Sequence, residues 1–286
     1  MRLVTFIPAT GGAPRVGTLE RGGTVRELQA PSMLAWLAGE GRGPAGAEHA
    51  LADVRLQAPV PEPPSVRDFF AYEEHVRAGL ALVGREIPDA WHEIPVFYFS
   101  NPASIYGPDD PVPKPADSAA LDCELEIAAV IGAEGIAGFT LFADWSARDL
   151  QAREMTVGLG PAKGKDFATS LGPWIATPDE LPFRDGRLEL EATLTVNGVE
   201  LTRTRAGEQR HSWDAIVAAA QRNTRGLRPG DVLGSGTLNR GCLLELGGLP
   251  PEATGAAEPR FLEPGDEVAL AAPGLGELRA TVTGPA

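Results

Sequence analysis

Cysteine is almost absent: Cys123 and Cys242 are the two thiols in 286 residues, and no CxxC spacing links them. That leaves no disulfide framework and fits reduced thiols in a cytoplasmic protein. Long apolar runs are missing as well. No stretch of 18 apolar residues is available to cross a membrane as a helix, and the opening MRLVTFIPATGG is broken at Pro8 and Gly11, unlike a signal peptide. Positive charge is in deficit, with 25 Lys and Arg against 39 Asp and Glu. The resulting net charge of −14 argues against nucleic acid or an anionic membrane as partner. Histidine is rare, at four residues, and no internal repeat is visible.

Glycine and proline are plentiful, 34 and 26 residues, and scattered rather than clustered. With a hydrophobic content of 43% they predict a mostly β (α+β) chain of many short strands and turns around a large core. Residues 2–7, 14–20 and 54–57 read as strands, and residues 31–37 as one short helix with Pro31 in its first turn. The stiff segment Ala58-Pro59-Val60-Pro61-Glu62-Pro63-Pro64 then separates a small β-rich N-terminal domain, 1–60, from a larger one, 61–286. Residues 65–83 carry helical periodicity, with Ser65 and Asp68 in a capping spacing, so His75 falls two turns beyond Asp68 on the same face. Residues 94–102, Leu121–Gly132 and 139–144 read as apolar strands, and residues 145–151 as a helical turn. Further on, a hairpin turns at Asn197-Gly198, residues 212–223 form an amphipathic helix, and residues 232–237 and 242–246 read as strands.

Leu121–Gly132 carries Glu124 and Glu126, spaced by two, so both side chains share one strand face about 7 Å apart. Like charges on an apolar strand repel and resist desolvation, so either that face is wet or a cation lies between them. Alone, an E-x-E fits a wet edge; the acids elsewhere tip the balance toward a cation. Asp144 ends the next apolar strand, Glu245 sits inside Cys242-Leu243-Leu244-Glu245-Leu246, and Asp68 precedes them. Asp68, Glu124, Glu126 and Asp144 form an oxygen donor set without clustered Cys or His, which selects Mg²⁺, Ca²⁺ or Mn²⁺ over zinc or copper. Add His75 as base, Glu245 as its orienter and Lys165 as charge stabiliser, and the set suits hydrolysis of an oxygen-rich anionic substrate. Trp145 and Trp213 read as core anchors, Lys163 as a solvated neighbour of Lys165, and both cysteines as small buried hydrophobes.

Six stretches occur in order: Arg67-Asp68-Phe69-Phe70-Ala71-Tyr72-Glu73-Glu74-His75, Leu121–Gly132, Asp144-Trp145-Ser146-Ala147-Arg148-Asp149-Leu150-Gln151, Gly164-Lys165-Asp166-Phe167, residues 227–237, and Leu244-Glu245-Leu246. Together they resemble the fumarylacetoacetate hydrolase family over roughly residues 64–283, with the front module in the place of that family's variable N-terminal domain. The resemblance implies a mixed β-roll C-terminal domain, a small barrel-like β-rich N-terminal domain and a homodimer. It implies that Asp68, Glu124, Glu126 and Asp144 ligate the metal and that His75 and Glu245 activate water. Arg148, Gln151 and Lys165 would face the developing oxyanion, while Tyr98 and Thr237 would hold substrate carboxylate or carbonyl oxygens.

The activity so implied is metal-dependent C–C bond hydrolysis of a 1,3-diketo acid, of the fumarylacetoacetate or acylpyruvate type, in aromatic-compound or amino-acid catabolism. Related sites hydrate 2-hydroxydienoates, or decarboxylate or isomerise 2-oxo acids. Decarboxylating relatives place the dyad glutamate three residues after the histidine; here that position is Ala78 and the acid is Glu245, which favours hydrolysis. The chain departs from the family's eponymous enzyme at Phe70 and Met155, where tyrosines lie near substrate, and Arg85 is only near the place of a substrate-contacting arginine. Lost hydroxyls change selectivity for a carboxylate by orders of magnitude, so fumarylacetoacetate itself is not implied. A non-enzymatic binder of dicarboxylic acids would need the four ligands but neither His75 nor Glu245.

Overall fold

Short alternating strands build the front of the chain. In the computed structural model, which describes residues 1–285, they are Arg2–Pro8 (β1), Arg15–Leu19 (β2), Thr24–Leu28 (β3), Pro44–Ala50 (β4) and Val54–Leu56 (β5). The helix Met33–Leu37 (α1) starts at Ser32, whose Oγ accepts from the Ala35 amide at 3.1 Å, so Pro31 lies before the cap and not in the first turn. The sequence gives little sign of β4 because PAGAEHA has no apolar face; it is a largely exposed edge strand. Instead of closing into a barrel of their own, these strands extend the main sheet, and Leu3, Met33 and Leu37 pack against Val130 and Ile175 of the larger part.

The larger part continues with Val66–Phe69 (β6), Glu73–Ala81 (α2), Asp89–Glu93 (α3), Phe97–Ser100 (β7), Ile105–Tyr106 (β8) and Val112–Pro113 (β9). The long hairpin Leu121–Gly132 (β10) and Gly135–Ala147 (β11) leads into Arg148–Met155 (α4) and Thr169–Ala176 (β12). Then come Phe183–Arg184 (β13), Arg187–Leu188 (β14), Glu191–Val196 (β15), Val199–Arg205 (β16), Trp213–Gln221 (α5) and Val232–Gly234 (β17). Leu243–Leu246 (α6), Pro251–Thr254 (α7), Glu267–Ala272 (β18) and Gly276–Thr283 (β19) close the chain. Strand accounts for 38% of the molecule and helix for 19%, so the fold is mostly β.

The main sheet runs β4-β3-β2-β1-β12-β11-β10-β17-β6-β7, mixed because β6 and β17 are parallel; a second sheet runs β16-β15-β18-β19-β9. Between the sheets lies one core, in which Leu125, Ile127 and Leu141 meet Leu194, Leu270 and Leu278. Cys123, Leu125 and Ile127 thus use one face of β10 for this core, leaving Asp122, Glu124 and Glu126 on the other. Phe139, fully buried, packs on Trp213 at a centroid distance of 5.1 Å and on Phe183 at 5.5 Å. Phe139→Ala should therefore lower the unfolding free energy by about 3–5 kcal/mol, read as a fall in denaturant midpoint at unchanged slope. No helix among the described residues is long and apolar enough to cross a membrane.

Three local expectations are corrected here. Residues 65–83 are not one helix: Val66–Phe69 pairs with β17 on one side and β7 on the other, and Ser65 Oγ donates to Asp231 Oδ1 at 2.8 Å instead of capping. Asp68 is thus a strand residue and His75 alone rides on α2; sheet pairing outweighs local periodicity. Glu245 is not on a strand but on α6, whose first amides, Leu243 and Leu244, donate to Asp122 at 2.8 and 3.0 Å, and which stops at Gly247 with φ 79°. The strand expected over residues 232–237 ends at Gly234, because Gly236 turns the chain at φ 82°.

Candidate active site

Pairing register brings the acids together. Across the hairpin Glu124 lies directly opposite Asp144; on the other side of β10, Gly234 of β17 stands beside Ala128, and Asp68 of β6 stands beside Gly234. Opposed like charges destabilise an antiparallel pair, and here both are buried. The buried Lys165 ammonium answers part of that charge by pairing with Glu124 Oε2 and Asp144 Oδ2. The Gly236 amide donates to both Asp68 Oδ1, at 3.1 Å, and Glu126 Oε2, at 3.0 Å. These two carboxyls can meet only because position 234 lacks a side chain: a Cβ there would overlap Asp68 Oδ1 and lie 3.2 Å from Glu126 Oε2. Gly234→Ala should spread the pair and weaken Mg²⁺ binding by on the order of 10–100-fold without removing a ligand, as a calorimetric titration would read.

One cation does not neutralise the cluster. Burial pushes the Asp68 carboxyl up to about 6, against the opposing pull of the Glu126 hydrogen bond and Lys165. Burial, then the charge of Asp68, raises Glu126 well above the usual range; burial also raises Asp144, more than Lys165 lowers it. Glu124 goes the other way, because Arg148 and Lys165 together outweigh its burial. Lys165 is itself raised, since Asp144 and Glu124 overcome its desolvation, so it stays an ammonium. Asp68, Glu126 and Asp144 each offer an oxygen within 4.8 Å of the others, and Asp144 Oδ1, buried, has no hydrogen-bond partner among the described residues. An all-oxygen, electron-rich, under-satisfied cluster fits a hard divalent cation. Of the four acids picked out in the sequence, Glu124 is joined to the other three through Lys165.

His75 lies in the first turns of α2, whose Glu74 amide donates to Asn239 Oδ1 at 3.1 Å. Its Nδ1 is 3.0 Å from Glu245 Oε2, and its Nε2 is 3.6 Å from Glu124 Oε1, facing the acids. A carboxylate only accepts, so Nδ1 donates to Glu245, which in the neutral ring leaves the lone pair on Nε2. Phe70 closes the ring's other side, edge to face at 5.5 Å. Arg148 Nε donates to Asp122 Oδ2 at 2.9 Å, its Nη2 is 2.8 Å from Glu124 Oε1, and its Nη1 donates to Gln151 Oε1 at 3.2 Å. Tyr98 and Thr237 are present too, their hydroxyls donating to Asp144 Oδ2 at 2.6 Å and Glu126 Oε1 at 3.5 Å.

Sequence reasoning missed Asp122. Fully buried, it accepts from the first two amides of α6 and from Arg148, so it fixes both Glu245 and the guanidinium. The signal available was its place in the alternation Asp122, Glu124, Glu126 on one strand face.

A family model described as fumarylacetoacetate (FAA) hydrolase C-terminal matches residues 65–283, most of the chain. The chain belongs to the fumarylacetoacetate hydrolase family. A second model, described as Rv2993c-like, N-terminal, matches residues 1–59. The fumarylacetoacetase of Arabidopsis thaliana is 32% identical in an alignment 265 residues long that covers 70% of this chain and 63% of that relative, so this chain spans less than two thirds of its length. Among solved structures, a fumarylacetoacetate hydrolase from psychrophilic Exiguobacterium antarcticum matches 99% of both chains with a TM-score of 0.76 at 26% identity. A 5-carboxymethyl-2-hydroxymuconate delta-isomerase from Mycobacterium smegmatis matches 99% of both with a TM-score of 0.73 at 28% identity. The mixed, strand-rich architecture is the family's own.

Proposed function

We infer that this chain is a divalent-metal-dependent hydrolase that cleaves a C–C bond in a 1,3-diketo acid of the fumarylacetoacetate or acylpyruvate type, in aromatic-compound or amino-acid catabolism. The observation that carries this reading is the His75–Glu245 pair at 3.0 Å, set against a buried cluster of carboxylate oxygens. A mere binder of dicarboxylic acids has no use for an oriented imidazole. Asp68, Glu124, Glu126 and Asp144 are the residues to hold Mg²⁺, or Ca²⁺ or Mn²⁺, which when bound supplies Lewis acidity toward the diketone oxygens.

The rest falls to the chain's own groups. Glu245 keeps the proton on Nδ1, and His75 Nε2 takes one from water, whose oxygen adds to a carbonyl carbon. Lys165, held as an ammonium, and Arg148, braced by Asp122 and Gln151, stabilise the negative charge that gathers on the carbonyl oxygen. The C–C bond then breaks, its electron pair leaving as an enolate that is reprotonated, so the products are a carboxylic acid and a keto acid. Tyr98 and Thr237, whose hydroxyls here donate to Asp144 and Glu126, would turn them to the substrate's remaining oxygens once a cation takes up those carboxylates. A homodimer in the cytoplasm, with neither nucleic acid nor membrane as partner, goes with this reading.

The likeness to an isomerase supports a second reading, isomerisation of a 2-oxo acid, with hydration or decarboxylation as its variants. Against it stands the origin of the dyad acid: Glu245 comes from α6, while α2 carries Ala78 one turn after His75. Magnesium-replete assays on a panel of acylpyruvates and fumarylacetoacetate, with products followed by NMR, separate the two. Two carbon fragments support hydrolysis; an intact isomer, a hydrated acid or released CO₂ overturns it.

A further inference from the structure

We propose that Cys242, His75 and Glu245 form a second metal site, one that takes a thiophilic cation of the Zn²⁺ class and silences the base by doing so. The second half rests on the hydrolytic reading above; the first does not.

The three donors form a closed triangle. Cys242 Sγ is 3.3 Å from Glu245 Oε2 and 3.9 Å from His75 Nδ1, and the third edge, Nδ1 to Oε2, is 3.0 Å. A tetrahedral zinc with bonds of about 2.3 Å to sulfur and about 2.0–2.2 Å to nitrogen and oxygen needs donor separations of roughly 3.3–3.6 Å, which these edges bracket. All three donors are almost wholly withdrawn from solvent: Cys242 is 0% exposed, and the side chains of His75 and Glu245 are 9% and 4% exposed. The site is also braced, because Asp122 holds the amides of Leu243 and Leu244, the two residues between Cys242 and Glu245.

Softness separates this triangle from the oxygen cluster next to it. A thiolate, an imidazole and one carboxylate are a zinc donor set, whereas Asp68, Glu126 and Asp144 offer oxygen alone and suit Mg²⁺. Nothing in the hydrolytic mechanism uses the Cys242 thiol. Cys123 cannot substitute for it, since that side chain points into the core on the opposite face of β10.

The proton count explains the silencing. Binding releases the thiol proton to solvent. The neutral imidazole keeps its single proton but moves it from Nδ1 to Nε2, because the cation takes the Nδ1 lone pair, and Glu245 exchanges a hydrogen bond for a metal bond. Nε2 then bears N–H and has no lone pair to accept a proton from water. Magnesium need not be displaced for turnover to stop.

The test uses the full chain saturated with Mg²⁺ and titrated with Co²⁺ as a spectroscopic stand-in, then with Zn²⁺ in the turnover assay. One equivalent of Co²⁺ should give a thiolate-to-cobalt charge-transfer band in the near ultraviolet, which an oxygen-only site cannot produce. That band should vanish in Cys242→Ala and persist in Cys123→Ser. Zinc inhibition, measured against each variant's own zinc-free rate, should weaken in Cys242→Ala by at least the roughly 10–100-fold that loss of even an outer partner costs. Cys242→Ser, closer in shape, guards against a folding defect and should lose the band likewise. No band in the unsubstituted protein, or a band that survives Cys242→Ala, overturns the site. A Cys242-dependent band with undiminished turnover leaves the site standing and overturns the silencing, and with it the role of His75 as base.

Discussion

His75→Ala lowers kcat by roughly 10²–10⁴-fold on whichever diketo acid is turned over best, with KM and Mg²⁺ affinity nearly unchanged. The split follows from position: the imidazole faces the acids through Nε2, 3.6 Å from Glu124, and holds neither substrate nor Mg²⁺ in the proposed mechanism. Glu245→Gln acts in the same direction, since an amide that accepts from Nδ1–H no longer carries the charge that steadies the developing imidazolium. The two substitutions remove one unit, so the double variant should be no slower than His75→Ala alone. Steady-state kinetics on the four proteins decide the matter. Near-normal turnover by His75→Ala on every diketo acid would remove the base from the mechanism.

Chelation should produce the second large effect, and its size should depend on pH. Without a cation, burial pushes the Asp68 carboxyl up to about 6 from its ordinary 3.8. A carboxyl raised in this way costs the fold nothing below the unfolded value, and the cost accumulates as pH climbs through the folded one. Between pH 4 and 6 that shift is worth about 3 kcal/mol of lost stability, and Glu126 and Asp144, also raised well above the usual range by burial, add to the loss as pH rises. Mg²⁺ needs the same oxygens deprotonated, so it binds more tightly over that range. At 100 times its dissociation constant it adds about 2.7 kcal/mol. Melting curves with EDTA and with excess Mg²⁺ should therefore lie close together near pH 5 and separate widely by pH 8, with the EDTA curve falling as pH rises. Activity should vanish with EDTA and return with Mg²⁺. Superimposed curves at pH 8 would mean that the carboxylates hold no cation.

What could be read from the sequence is what local pattern controls. Leu121–Gly132 is bounded as its apolar run suggests, and the hairpin at Asn197-Gly198 forms where its turn residues place it. The pattern failed where distant pairing decides. Nothing local marks residues 66–69 as a strand; β17 and β7, from far along the chain, make them one. Nor does Cys242-Leu243-Leu244-Glu245-Leu246 announce a helix, since its cap is the side chain of Asp122, more than a hundred residues upstream. The acids themselves stood out because buried charge is costly and so needs a reason. Asp122 did not, because its reason is a pair of backbone amides that no sequence displays.

That one carboxylate has a dynamic consequence. Asp122 grips α6 with both oxygens and the Arg148 guanidinium with one of them. Because Asp122 belongs to the buried strand β10, an outward swing of α6 would strip it of both amides and carry Glu245 off, while the guanidinium stays moored to Asp122 and Glu124. On the proposed mechanism the orienting acid would thus depart alone, and the anion clamp would stand ready for the next substrate.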